Sequence, residues 1–348
     1  MDTLRVPKPI SGGIFLSYKC NSRCRHCMYA CSPRWEADWM RLEDAERVMR
    51  NLSEAFRGRY PSGYRQVGVN LGLHLTGGEP FLNPDLLLDL VRMADRLGMP
   101  SLFVETNCFW AATDESARES LNQLKEAGLH GILISVNPFI LEYVPFERTL
   151  RAIRAAREIF QANLMIYQEG FLHQIERLGV RGTIRFEDYL RTAGASSMYY
   201  AELLPMGRAC YELRHLFPRH PAEDFFCMSC RAELTRPWHI HVDNYCNYMT
   251  GYCGGISLGD ARRMDEICSG IELDDKPILA RLVSDRGIEL LYRFAVEEYG
   301  YRELRKGYIS KCHLCVDIRK HIVEQTDEFV ELKPEGFYRN LKAEDAVS

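Results

Sequence analysis

Cys20-Asn21-Ser22-Arg23-Cys24-Arg25-His26-Cys27 constrains this chain more than any other stretch: three cysteines, spaced by three and then two residues, follow a short apolar run. Three thiolates can hold three corners of a cubane [4Fe–4S] cluster, whereas four are needed to close every iron, so this spacing leaves one iron open for a ligand. Zinc is the competing reading, because cysteines two residues apart also serve Zn²⁺. A closed tetrahedral zinc site would then need a fourth ligand from a distant part of the chain.

Placed directly after a strand expected over residues 13–18, this loop resembles the CxxxCxxC loop of the radical S-adenosylmethionine (radical SAM) enzymes. The resemblance implies that Cys20, Cys24 and Cys27 hold the catalytic cluster. In that family the amino and carboxylate groups of S-adenosylmethionine chelate the open iron, and the reduced cluster cleaves the sulfonium to a 5′-deoxyadenosyl radical. The position before the third cysteine is usually aromatic in the family and lies against the adenine; His26 occupies it here.

A chain of 348 residues with 46% hydrophobic content has room for one large α/β domain and a smaller one. Its formal net charge of −4 argues against a general nucleic-acid-binding surface. No apolar run approaches a membrane span and the first residues lack the apolar core of a secretion signal, so a cytoplasmic protein is expected. The thirteen cysteines are odd in number and clumped, which suits metal ligation in a reducing compartment better than disulfides.

Strand and helix patterns then alternate. A helix is expected over 41–56, and a strand over 69–75 runs into Thr76-Gly77-Gly78-Glu79-Pro80. Two glycines let the backbone approach a ligand, and a carboxylate can accept hydrogen bonds from an ammonium group. This turn matches the GGEP motif of radical SAM enzymes, which binds the amino group of S-adenosylmethionine, so Gly77, Gly78 and Glu79 are cofactor-binding candidates. Helices over 85–97, 115–127 and 146–160 and strands over 101–105, 131–136, 163–167 and 198–204 complete the pattern. Repeated βα units imply a parallel sheet, and six of them resemble the family's partial (β/α)6 TIM-type barrel. Thr106-Asn107 stands where relatives have Thr-Asn-Gly, with Cys108 replacing the glycine. Ser135 and Asn137 stand at a Ser-x-Asp that contacts the ribose, with Asn137 replacing the acid. Asn107 and Ser135 are therefore further candidates for the cofactor site. Cys31 and Cys108 read as structural thiols, and Trp35 and Trp39 as packing for the cysteine loop. Tyr167, Gln168, Glu169 and Glu202 are the polar groups expected to face a substrate.

Pro205-Met206-Gly207-Arg208-Ala209 resembles the segment that joins the barrel to a C-terminal cluster domain in relatives. Domains of 1–215 and 216–348 are expected on that basis, the second a small cysteine-rich α+β unit. There, Cys227-Met228-Ser229-Cys230 precedes an alternating hairpin over 238–253, and Cys312-His313-Leu314-Cys315 follows a helical stretch over 287–298. The arrangement looks like the SPASM and Twitch domains, which hold auxiliary iron–sulfur clusters. It implies one auxiliary [4Fe–4S] cluster on Cys230, Cys253, Cys312 and Cys315, with Cys227 and Cys246 as substitutes and structural zinc as the alternative metal. Cys210 and Cys268 read as unligated, and residues 333–348, polar apart from Phe337 and Tyr338, as a frayed tail or an interaction segment.

The resemblance implies a radical SAM oxidoreductase or maturase that abstracts a hydrogen atom from a peptide or protein side chain. An oxidase or isomerase of a small molecule, such as a sugar, nucleoside or cofactor precursor, is the alternative. A reducing partner such as flavodoxin or ferredoxin would supply the electron. A zinc-binding or electron-transfer protein without catalysis is the reading outside enzymes.

Overall fold

Apolar runs bounded by glycine and turn residues build the larger of two compact units, which comprises Ile10–Cys24 and Cys31–Leu203. The structure is a computed structural model and describes residues 3–200, 203–250 and 252–342. Five strands of this unit, β1 (Ser11–Phe15), β2 (Gly72–Thr76), β3 (Phe103–Thr106), β4 (Gly131–Ser135) and β5 (Leu164–Tyr167), lie side by side in the order β5-β4-β3-β2-β1. Every pairing is parallel, with Ser11 opposite Gly72, His74 opposite Phe103, Val104 opposite Ile132 and Leu133 opposite Met165. β1 and β2 are buried at every residue, as expected of parallel strands covered on both faces.

Six helices of eight or more residues accompany the strands among the described residues: α1 (Leu42–Phe56), α2 (Pro84–Arg96), α3 (Asp114–Glu126), α4 (Phe146–Phe160), α5 (Glu169–Arg177) and α6 (Phe186–Ala193). α1 buries Ala45, Val48, Met49, Leu52 and Phe56, one face at helical spacing. Asn83 caps α2 by accepting from the Leu86 amide at 3.2 Å, and Thr113 and Ser116 form a capping box on α3. Each such cap contributes about 1 kcal/mol. These strands and helices form an α/β sheet of the kind found in partial TIM-type barrels.

The sixth strand expected over 198–204 is not found among the described residues. Gly194 ends α6 at φ 79°, and the Ser197 amide turns back to its carbonyl at 3.0 Å, so residues 195–200 close into a 3-10 turn instead of extending. Glu202 lies outside the described residues. At the end of β5, Gln168 adopts a left-handed φ of 65°, and Glu169 opens α5.

The second unit comprises Met1–Pro9, Arg25–Ala30 and Leu204–Ser348. Its hairpin pairs β6 (Ile240–Val242) with β7 (Tyr248–Thr250), antiparallel, with His241 opposite Met249. Asp243 organises the turn by accepting from the amides of Tyr245 and Asn247 at 3.0 and 2.8 Å. Five helices follow: α7 (Met264–Ser269), α8 (Pro277–Leu282), α9 (Gly287–Tyr299), α10 (Lys311–Val323) and α11 (Glu335–Arg339). Among the described residues of the segment expected to be a frayed tail or an interaction segment, α11 is helical, with Phe337 and Tyr338 buried. No helix of the described residues is long and apolar enough to cross a membrane.

Candidate active site

Cys20 and Cys24 fall in the larger unit and Cys27 in the smaller. In the larger unit the chain leaves β1 and is met by the turn that leaves β2. The Gly78 amide donates to the Ser17 carbonyl at 2.8 Å and the Glu79 amide to the Lys19 carbonyl at 3.1 Å. Gly77 holds φ 126°, and a Cβ built there would lie 2.4 Å from the Ser17 oxygen. The two glycines thus serve first to seat the turn against the residues leading into Cys20.

Glu79 is almost completely buried and is held from three sides. Oε1 accepts from Thr106 Oγ1 at 2.9 Å and from the Phe81 amide at 3.2 Å, and Oε2 accepts from the Asn107 amide at 2.8 Å. Burial raises its pKa from 4.5 to about 7, against the lowering effect of these donors. Two carboxylate oxygens offer about four acceptor positions, so three donors leave room for one more.

Asn107 connects this carboxylate to the cysteine loop. Its Nδ2 donates to Asn21 Oδ1 at 2.8 Å and lies 3.9 Å from Cys20 Sγ, while its Oδ1 accepts from the Phe109 amide at 3.0 Å. Cys20 is buried and Cys24 half-buried. Cys108 has a φ of 68°, the left-handed conformation that favours the glycine it replaces. Cys31 donates to the Gly77 carbonyl at 3.5 Å, in keeping with a structural thiol. Trp35 stacks on Tyr18 at 4.5 Å beneath the loop. Ser135 is half-buried at the end of β4. Asn137 caps the short helix Pro138–Leu141, its Oδ1 accepting from the amides of Phe139 and Ile140 at 3.1 and 3.0 Å.

In the smaller unit, Gly207 and Arg208 seat the far end of the loop. Gly207 has φ 56° and a Cβ there would stand 2.4 Å from the Met28 oxygen, while the Arg208 amide donates to the Cys27 carbonyl at 3.0 Å. The fully buried Arg208 guanidinium donates to the Asn340 carbonyl from Nε and Nη2, both at 3.2 Å. Burial lowers the His26 pKa to about 4 and Arg208 adds to the shift, so its imidazole is neutral at pH 7. Sequence reasoning assigned 205–209 only a joining role. It also missed the Tyr29 hydroxyl at 2.8 Å from His241 Nδ1, a pair whose one signal was the alternation of β6.

Cys230, Cys253, Cys312 and Cys315 line one cavity with Met206, Tyr252 and Arg319. Cys312 and Cys315 come from the start of α10, where Ser310 caps by accepting from the His313 amide at 3.0 Å. The positive end of the helix dipole favours thiolate there. Burial pushes the Cys312 thiol up to about 12, with Cys253 and Cys315 adding to it, and also raises Cys230 and Cys253. A metal entering this cavity would therefore displace protons. A converging set of soft thiol donors fits iron–sulfur or zinc chemistry. Cys227 is exposed, and Cys246 is buried in the hairpin turn at φ 66°; neither lines the cavity. Cys210 donates to the Pro205 carbonyl at 3.3 Å, and Cys268 is half-buried.

Residues 14–171 match the model of the radical SAM superfamily. GTP 3′,8-cyclase of Aquifex aeolicus (strain VF5) is 23% identical over 307 residues, which span 83% of this chain and 86% of that protein. The mitochondrial GTP 3′,8-cyclase of Arabidopsis thaliana is 26% identical over 153 residues, 42% of this chain and 35% of that one. Among solved structures, BtrN in complex with AdoMet and 2-DOIA aligns at 14% identity and a TM-score of 0.44, covering 81% of this chain and 92% of that one. Native anSMEcpe with bound AdoMet aligns at 12% and a TM-score of 0.33, covering 95% of each chain. The matched stretch contains the cysteine loop, the Gly77–Gly78–Glu79 turn, Asn107 and Ser135, and a domain of this superfamily in general holds an S-adenosylmethionine-binding [4Fe–4S]-type cluster. The chain therefore carries a radical SAM superfamily domain over residues 14–171 and is an enzyme of that general class.

Proposed function

We propose that Cys20, Cys24 and Cys27 hold the catalytic cluster and that the enzyme abstracts a hydrogen atom from its substrate. The observation that carries this reading is the continuous set of hydrogen bonds from Glu79 through Asn107 to Asn21, beside Cys20. It ties the two motifs of the larger unit into one rigid corner. When bound, cluster and S-adenosylmethionine supply the 5′-deoxyadenosyl radical, and the chain supplies position and exclusion of water. Glu79 would accept a hydrogen bond from the ammonium of S-adenosylmethionine; an adjacent cation favours the ionised carboxylate and offsets the desolvation that raises its pKa. The neutral His26 imidazole would lie against the adenine, and Asn107 and Ser135 would line the remainder of the cofactor site.

Residues 1–215 would form the catalytic part and residues 216–348 the auxiliary part. In the second, Cys230, Cys253, Cys312 and Cys315 would hold one [4Fe–4S] cluster. The convergence of these thiols on one cavity supports that set over sets that include Cys227 or Cys246.

Both a peptide side chain and a small molecule are substrate classes that this chemistry serves. The likeness to a GTP 3′,8-cyclase across 83% of the chain favours a small molecule of nucleotide type. The test is transfer of deuterium into 5′-deoxyadenosine. Label arriving from GTP deuterated on its ribose supports the nucleotide reading. Label arriving only from deuterated peptides would replace it with side-chain modification.

A further inference from the structure

A buried cation without a carboxylate beside it is unfavourable, because the charge has lost its water and gained no partner. Arg319 is in that position. It lies on α10 four residues after Cys315, so the two side chains share one face of the helix, and only 5% of it is exposed. Its Nη1 donates to the Gly254 carbonyl at 3.1 Å and to the Tyr338 hydroxyl at 2.7 Å, and its guanidinium carbon lies 5.5 Å from the centre of the Tyr338 ring. Tyr338 in turn donates to the Gly255 carbonyl at 2.5 Å. These partners are all neutral. Its Nε is buried with no acceptor, and among the described residues Arg319 makes no ion pair with a carboxylate.

The groups able to carry a negative charge beside it are the side chains of Tyr338, Cys315 and Cys253. Of the other cations near the cavity, Lys311 has a carboxylate partner, whereas Arg236 does not line the cavity and packs on two rings with its Nε buried and without an acceptor. Lys311 pairs with Glu233 and donates to the Ser229 carbonyl at 2.9 Å, and the half-exposed Arg236 lies over Trp238 and Tyr252 at 4.2 and 4.6 Å. Arg319 lines the same cavity as Cys230, Cys253, Cys312 and Cys315.

We infer that Arg319 is the fixed counter-ion of the auxiliary cluster and holds its reduction potential up. This rests on the auxiliary-cluster reading above. Four thiolates leave such a cluster with a net negative charge in either oxidation state, and reduction adds one electron and one further negative charge. A cation held at fixed distance in a low-dielectric site stabilises the more negative state more strongly. Arg319 thus acts through the cluster and not on the substrate.

The test is an anaerobic redox titration of the reconstituted full chain, followed by electron paramagnetic resonance. It is run for wild type, Arg319→Met and Arg319→Lys, each also on a Cys20/Cys24/Cys27→Ala background that isolates the second cluster. Arg319→Met should lower the ratio of reduced to oxidised second cluster at least tenfold at fixed potential, a shift of about 59 mV for one electron. Arg319→Lys should stay closer to wild type. Loading of the Lys variant alone, at near wild-type potential, would also support the inference, because only the charge is then common to the loaded proteins. An unshifted potential in a loaded Met variant would overturn it, as would equal shifts in Met and Lys or loss of the cluster in both. About four irons in place of eight in the wild type would instead overturn the auxiliary-cluster reading itself.

Discussion

A methyl group on Gly78 would stand 1.9 Å from the carbonyl oxygen of Lys19. The turn after β2 and the residues entering the cysteine loop are therefore in backbone contact, and no side chain fits between them. Gly78→Ala must push the two segments apart, at a cost of about 1–3 kcal/mol. Iron at the Cys20, Cys24 and Cys27 site should fall while iron at the other four cysteines stays. Denaturation curves with iron counts check this, and a variant with full iron and unchanged stability would contradict it.

Glu79 gives the larger unit a pH dependence of definite sign. Its pKa is about 7 in the fold against 4.5 ordinarily, so the folded state holds the proton more tightly. Its contribution to stability is fully present below about 4.5 and is lost as pH rises to about 7. The difference is on the order of 3 kcal/mol. Urea melts of the metal-free, reduced chain should show wild type losing more stability than Glu79→Gln between these limits. Parallel pH profiles for the two proteins would contradict the burial argument.

The cavity separates the cysteines into two groups. Serine at Cys230, Cys253, Cys312 and Cys315 together should remove about four irons, the content of one cluster. Serine at Cys227 or Cys246 should leave the count unchanged. Loss of iron on changing Cys246 alone would require a different ligand set.

Strands and helices of the larger unit were legible because their apolar periods are unbroken: the helix over 146–160 is found with those bounds, and the other helix bounds shift by one residue. The expected sixth strand failed because its apolar residues follow Gly194, where a local turn competes with extension. Cys108, standing where relatives have a glycine, has the left-handed φ that explains that glycine, and Cys246 in the hairpin turn has a left-handed φ as well. What sequence could not show was the work of Gly207 and Arg208, whose contacts with the cysteine loop span about 180 residues of chain. Arg319 was equally hidden, because an arginine in a helix reads as a solvated face until its neighbours are known.

Cys20, Cys24 and Cys27 are proposed to support reductive cleavage of S-adenosylmethionine. The most direct measurement is 5′-deoxyadenosine formed under dithionite by the anaerobically reconstituted chain and by its Cys20/Cys24/Cys27→Ala variant, with iron and sulfide counted in both. 5′-Deoxyadenosine is expected from the wild type alone, with about four irons lost in the variant. Equal 5′-deoxyadenosine from both proteins, or none from a fully loaded wild type supplied with substrate, would contradict it.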